Sequence, residues 1–143
     1  MLDTITKPQQ RITVWRNYKK QDLDKNKIIK YISGIKTVER TFDFYTPKDW
    51  PTSWEILEHS MFCYSGKALL LHDTLVHKEM IKPNNVNWLV VDNLELEQVG
   101  LAFFDDMCYY NILPDQTLKQ QKLDNYIRIL EKIKPSKLSK IRA

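Results

Sequence analysis

Residues 50–76 read WPTSWEILEHSMFCYSGKALLLHDTLV, and the fold is decided here. Thr52-Ser-Trp-Glu55 has the spacing of a capping box: the Thr hydroxyl accepts from the backbone three residues on, and the Glu reaches back to the cap. That pattern predicts a short helix through Ile56 and Leu57, ending near residues 59–61. Residues 62–81 then carry the strongest helical signal of the chain. Ala68, Leu69, Leu71, Leu75, Val76 and Met80 recur at steps of three and four, and Leu70 widens the stripe. Lys82-Pro83-Asn84-Asn85 stops the helix. Cys63, with Ser65 and Gly66, falls at its N-terminus, where backbone N–H groups and the macrodipole would stabilise a thiolate.

Working outward, residues 1–20 lack clean periodicity and read as a basic arm or an edge strand, with Ile12 and Val14 alternating in RITVWRNY. From Asp22 the pattern turns helical, with Leu23, Ile28, Ile29, Ile32 and Ile35 compatible with one face, and Gly34 sits where the helix would end. Residues 37–52 read as a short extended piece followed by a loop broken at Pro47 and Pro51. Downstream, residues 87–92, 99–104 and 107–113 are short apolar strands, joined by turn residues Asn93 and Asp105-Asp106. A last helix is expected from Asp115 or Thr117, with Leu118, Leu123, Tyr126, Ile127, Leu130 and Ile133 on one face, ending at Pro135. Helices, an antiparallel meander and a C-terminal helix make an α+β protein. Residues 21–134 form one globular domain, and residues 135–143 form a basic tail.

The 143 residues carry a formal charge of +4 that is unevenly spread. Residues 1–40 hold ten Lys/Arg against four Asp/Glu, residues 41–131 seven against fourteen, and residues 132–143 five against none. An acidic middle is bracketed by basic ends, a pattern of interaction arms. Abundant Lys, Ile and Asn beside three Gly and three Ala reflect AT-rich codons and point to a low-GC bacterium or its phage. No apolar run approaches the ~20 residues of a membrane span. The first ten residues lack a secretory signal's layout. Two cysteines, Cys63 and Cys108, make no disulfide framework, so a reduced, cytoplasmic setting is expected. No Gly-rich phosphate loop, CxxC or HExxH occurs, and His59, Cys63, His72 and His77 match no zinc spacing, so no cofactor is expected.

The stretch quoted above resembles the core entry of transglutaminase-like domains of the papain-fold superfamily. In those domains a short helix leads to a Cys that opens an apolar helix, with Ala five residues on, as Cys63 and Ala68 stand here. The resemblance extends over residues 50–113. It implies a catalytic His on one strand of the following meander and an acid on the next. Where the His strand falls, this chain reads Gln98-Val99-Gly100-Leu101, and Asn111 or Asp115 stands for the acid. The implied protein is a degenerate, non-catalytic member.

Three functional readings follow. The leading one is a small intracellular, phage-encoded protein that binds a macromolecule or assembles on that degenerate scaffold. Trp50 and Trp54, flanking Pro51, are its candidate interface anchors; alternatively they cover the end of the core helix. The second is a cysteine-dependent hydrolase or transferase in which Cys63 is the nucleophile and His59, four residues before it, the base. His72 is about 13 Å further along the helix, too far to serve. Against this reading, Cys63 between Phe62 and Tyr64 also suits a packed core thiol. The third reading is nucleic-acid binding. Arg11, Arg16, Lys19, Lys20 and Lys27 interleave with Trp15, Tyr18 and Tyr31, and Lys137, Lys140 and Arg142 form a C-terminal arm. These arms could equally meet the acidic middle of a second copy. A protein partner or self-association is expected, nucleic acid is an alternative, and no membrane is expected.

Overall fold

The computed structural model describes residues 2–39, 42–94, 97–105, 108–111, 116–119 and 127–134. Among the described residues, four α-helices, α1 (Pro8–Lys19), α2 (Lys25–Ser33), α3 (Ser53–Glu58) and α4 (Tyr64–His77), precede five strands. These are β1 (Asn87–Asn93), β2 (Gln98–Phe104), β3 (Cys108–Asn111), β4 (Gln116–Lys119) and β5 (Ile127–Ile133). The α+β architecture, with helices first and an antiparallel sheet after them, matches the sequence pattern. The capping box is formed as read: Thr52 accepts from the Glu55 N–H, and the Glu55 carboxylate takes the Thr52 N–H.

Two segments differ from expectation. The first is residues 8–19, a helix rather than an arm or edge strand. Pro8 starts it with a preset φ, and Arg11 and Trp15, four apart, are its buried positions. Because one of those inward residues is charged, the apolar period that would announce a helix is broken. The second is the expected C-terminal helix, replaced by β4 and β5. The apolar positions of IRILEKI satisfy a helical step as well as a strand, so period alone could not choose between them. Sheet topology chose: β1 carries buried residues on both faces and sits between two neighbours, in the strand order β4-β3-β2-β1-β5. Asp115, Leu123 and Tyr126 of that expected helix lie outside the described residues.

Register assigns the two sheet faces. Trp88, Val90, Leu101, Phe103, Tyr110 and Ile133 pair across strands and join the helices in one core. Leu89, Val91 and Ala102, with Phe104, form a second small cluster on the opposite face. Within the main core, α4 runs over β2, with Ala68 through Leu71 fully buried.

Three inward cations close helix C-termini, where orphan carbonyls and the negative end of the macrodipole attract positive charge. The Arg11 guanidinium donates to the Leu57 and Glu58 carbonyls at the end of α3, both at 2.6 Å. Lys67 Nζ, fully buried, donates to the Ser33 and Ile35 carbonyls at the end of α2 and to Thr37 Oγ1, at 3.3, 3.0 and 2.8 Å. Lys78 Nζ donates to the Lys19 and Gln21 carbonyls at the end of α1, at 2.7 and 2.9 Å. Helices α3 and α4 also end in Schellman turns without glycine. Met61 N–H bonds to the Ile56 carbonyl and Met80 N–H to the Leu75 carbonyl, with Ser60 (φ 51°) and Glu79 (φ 57°) in the left-handed position. Among the described residues no helix is long and apolar enough to cross a membrane.

Candidate functional site

Cys63 is the N-cap of α4: its Sγ accepts the Gly66 N–H at 3.3 Å. The turn into the helix is tight, because a Cβ on Gly66 would stand 2.0 Å from the Met61 carbonyl oxygen. Glycine is therefore required at this position. One residue earlier, Ser65 Oγ accepts the Leu101 N–H of β2 at 3.0 Å, and Gly100 lets the strand come close beneath that hydroxyl. The hydroxyl ties the first turn of α4 to β2. It thereby sets the first residues of β2, Gln98 and Val99, beside the thiol.

The result is an open cleft of about 930 Å³, whose lining includes Cys63, Ser65, Gln98, Val99, Thr37 and Glu39. Its far wall is the segment after α2. Lys67 holds Ile35 and Thr37 in place, and the Val38 N–H bonds to the Phe62 carbonyl at 3.1 Å. Phe44 completes the lining from a turn organised by Asp43. The Thr46 hydroxyl and the Tyr45 N–H both donate to the Asp43 carboxylate, at 2.6 and 2.8 Å. The Thr46 bond, followed by the Tyr45 one, holds that carboxyl below its ordinary pKa. The residues lining the cleft thus carry a thiol, three hydroxyls (Thr37, Tyr64 and Ser65), an amide and a carboxylate. Among its described lining residues there is no imidazole.

The three histidines stand elsewhere. His59 is the exposed C-cap of α3, and the left-handed residue Ser60 breaks the chain before Cys63. The proposed i, i+4 relation between base and nucleophile requires one continuous helix and does not exist. His72 is buried, its Nδ1 2.9 Å from Asp73 Oδ1 and its ring 5.1 Å from Trp88 and 5.5 Å from Phe103. His77 is exposed at the last turn of α4. Among the described residues no group of three or more His, Cys, Asp or Glu is placed to hold a metal ion.

The basic candidates separate in space. Arg11 is 5% exposed with its guanidinium spent on carbonyls, so it cannot serve as a phosphate contact. Arg16 is exposed and lies 5.5 Å from the Trp54 ring centre. Lys19 Nζ sits 3.5 Å over the Trp15 ring; burial first, then Arg16, keeps its ammonium below the usual pKa. Lys20 and Lys27 are exposed. Tyr18 and Tyr31 stack on each other at 3.9 Å. Lys137, Lys140 and Arg142 lie outside the described residues, as does Asp115; Asn111 ends β3 opposite Gln116.

Of the two readings open for Trp50, exposed anchor or cover for the core, the structure has it buried. Its Nε1–H donates to the Phe44 carbonyl at 3.2 Å, and its ring meets Trp88 at 5.3 Å. Trp54 is the exposed member, at 48%. Sequence reasoning placed Ser65 at the helix start but missed its tie to β2, and it missed Lys67 and the wall at Thr37 and Glu39. Lys67 did leave a signal, being a lysine set immediately before the run Ala68-Leu-Leu-Leu71.

No protein-family model matches the chain, and no curated protein matches it in sequence. Solved structures do. Calcium-bound Legionella pneumophila LapG aligns with a TM-score of 0.67 at 13% identity, over 90% of this chain and 77% of LapG. EGTA-treated LapG aligns with a TM-score of 0.66 at 13% identity, over 92% and 77%. A third LapG structure aligns with a TM-score of 0.65 at the same identity and coverage. At this identity the likeness speaks for the fold alone: this chain shares its fold with LapG.

Proposed function

We propose that the protein uses the Cys63 cleft to bind a segment of a protein partner without turning it over. The observation that carries this reading is Gln98. It lies on the strand where the resemblance expects the catalytic His, and it lines the same cleft as Cys63. A neutral amide donates and accepts hydrogen bonds but neither takes the thiol proton nor returns it to a leaving group. The cleft keeps recognition chemistry, with Val38 and Val99 as apolar lining and Glu39, Thr37 and Gln98 as polar lining. A cytoplasmic setting accords with a reduced Cys63 thiol. The low-GC or phage source rests on composition alone.

A second reading, a cysteine-dependent hydrolase or transferase, draws on one specific observation. Cys63 opens into a cleft from a helix N-terminus, on the fold shared with LapG.

Iodoacetamide labelling of the native protein, mapped to Cys63 from pH 6 to 9, separates the two. Binding without catalysis predicts slow labelling that climbs with pH as for an ordinary thiol. Fast, pH-flat labelling below pH 8 supports the enzyme reading. Gln98→His then restores a base, and labelling at pH 7 should rise about tenfold or more. No rise would mean that Gln98 does not occupy the base position. Binding itself is read on a peptide array, where Val99→Arg should abolish the signal by placing a long charged side chain on the cleft lining. Equal signal from both proteins would sink the cleft as the binding site.

A further inference from the structure

The sheet has an unusual edge. Among the described residues β5 has a strand neighbour only on its β1 side, and Arg128 through Lys132 are all exposed. Ile129 and Leu130 are 41% and 38% exposed. An edge with apolar side chains and outward backbone groups is a template for another strand. Natural edges suppress this with charge, and β5 carries charges, but their placement does not suppress every pairing.

The bulge decides which pairing is open. Arg128 stands opposite Asp92 and Glu131 opposite Val90, with the register shift between Val90 and Val91. Three steps along β5 therefore match two along β1, which puts Arg128 and Glu131 in the same phase. In a regular strand, residues an odd number apart turn their backbone groups to opposite edges. No two-fold strand pair could then set them across from each other. With the bulge it can: Arg128 of one chain meets Glu131 of the other, twice, and the Ile129-Leu130 pairs meet at the axis. Registers centred on Arg128, Glu131 or Lys132 put like charges opposite each other instead. Attraction in one register and repulsion in its neighbours make a strand edge selective.

We infer that the β5 edge is a docking surface for a second copy of this chain, forming a two-fold antiparallel β5–β5 pair through Arg128 and Glu131. Such an interface is isologous, so each contact occurs twice. Arg128 also donates to Asp92 at 2.9 Å while its side chain stays 63% exposed, so the guanidinium fork can serve both carboxylates. The pairing covers about six residues per chain, below the size of a permanent interface. The dimer should dissociate on the order of tens of micromolar. This surface is separate from the Cys63 cleft and does not depend on the function proposed for it.

Sedimentation of the full chain over about 5 to 500 µM, a range that brackets this affinity, should show a monomer–dimer equilibrium. Arg128→Glu alone and Glu131→Arg alone should each weaken it at least tenfold. An equimolar mixture of the two variants, and the double variant R128E/E131R, should recover the dimer. The swapped partners also guard against misfolding, since a variant that recovers in the mixture is folded. A wild-type chain that stays monomeric throughout the range overturns the inference. So does a dimer indifferent to the single changes, or one that the mixture and the double variant fail to restore.

Discussion

Helix α4 buries polar side chains at its N-terminal turn and again near its middle, by opposite means. At the N-terminal turn, Cys63 and Ser65 are held by backbone: Gly66 donates to the sulfur and Leu101 to the hydroxyl. Nine residues after Cys63, His72 is held by side chains, with one bond to Asp73 and aromatic contacts to Trp88 and Phe103. The first spot opens into the cleft; the second is closed by rings, with Trp50 and Trp88 stacked edge-on behind it. Both spots are buried, Cys63 at 5% and His72 at 7% exposed, but the backbone-held thiol lines the cleft. A polar group packed among rings is immobilised and serves the core. This difference, more than residue type, separates a candidate functional thiol from a structural histidine.

The sharpest way to break this comparison is to damage each region in turn. Trp88→Ala removes the ring that joins His72, Trp50 and Phe103 and should cost about 3–5 kcal/mol in chemical denaturation. Iodoacetamide labelling of Cys63 below the transition should stay unchanged. Gly66→Ala forces a Cβ against the Met61 carbonyl and should cost about 1–3 kcal/mol, shifting the labelling rate as well. If Trp88→Ala moves the labelling rate as far as Gly66→Ala does, the two regions are one unit and the comparison fails.

A smaller effect, of opposite sign, tests the turns that flank α4. Glu79→Gly removes left-handed strain at a position where glycine is the usual occupant. It should raise stability by about 0.5–1 kcal/mol, and Ser60→Gly should do likewise at the turn preceding the cleft. A loss of stability in either variant would mean that the native side chain contributes more than its backbone strain costs.

The smallest effect is a pH dependence in the cleft wall. The Asp43 carboxyl is held low by the Thr46 and Tyr45 donors, so the folded protein keeps it ionised. The stability it adds is complete above the ordinary carboxylate range and lost as pH falls through the depressed folded value. Wild type minus Asp43→Asn should therefore show a stability gap at pH 6 that narrows below about pH 4. A gap independent of pH would assign the Asp43 contribution to shape alone.

Much of the helical half was legible in the chain. The Thr52–Glu55 cap, the α4 stripe and the short apolar strands are local signals, because capping and periodicity act within a few residues. Strand β2 was legible too, and with it the lack of a histidine in the stretch Gln98-Val99-Gly100-Leu101. Helix α1 was not, since Arg11 occupies a core-facing position and has meaning only once the end of α3 lies against it. The same holds for Lys67 and Lys78, whose partners are 30 or more residues distant. Charge counting credited Arg11 to a binding arm, although it ends a helix inside the molecule.

Local chemistry thus settled which residues open α4 and that an antiparallel sheet follows the helices, because hydrogen bonds and apolar spacing at short range leave few alternatives. Tertiary structure alone decided three further matters: that IRILEKI is a strand, that His59 and Cys63 lie on separate helices, and that Gln98 shares a cleft with the thiol. Each depends on contacts between segments far apart in the chain. A strand's partner, a turn's direction and a cleft's opposite wall are set by how the whole core closes, and no single stretch of sequence contains that information.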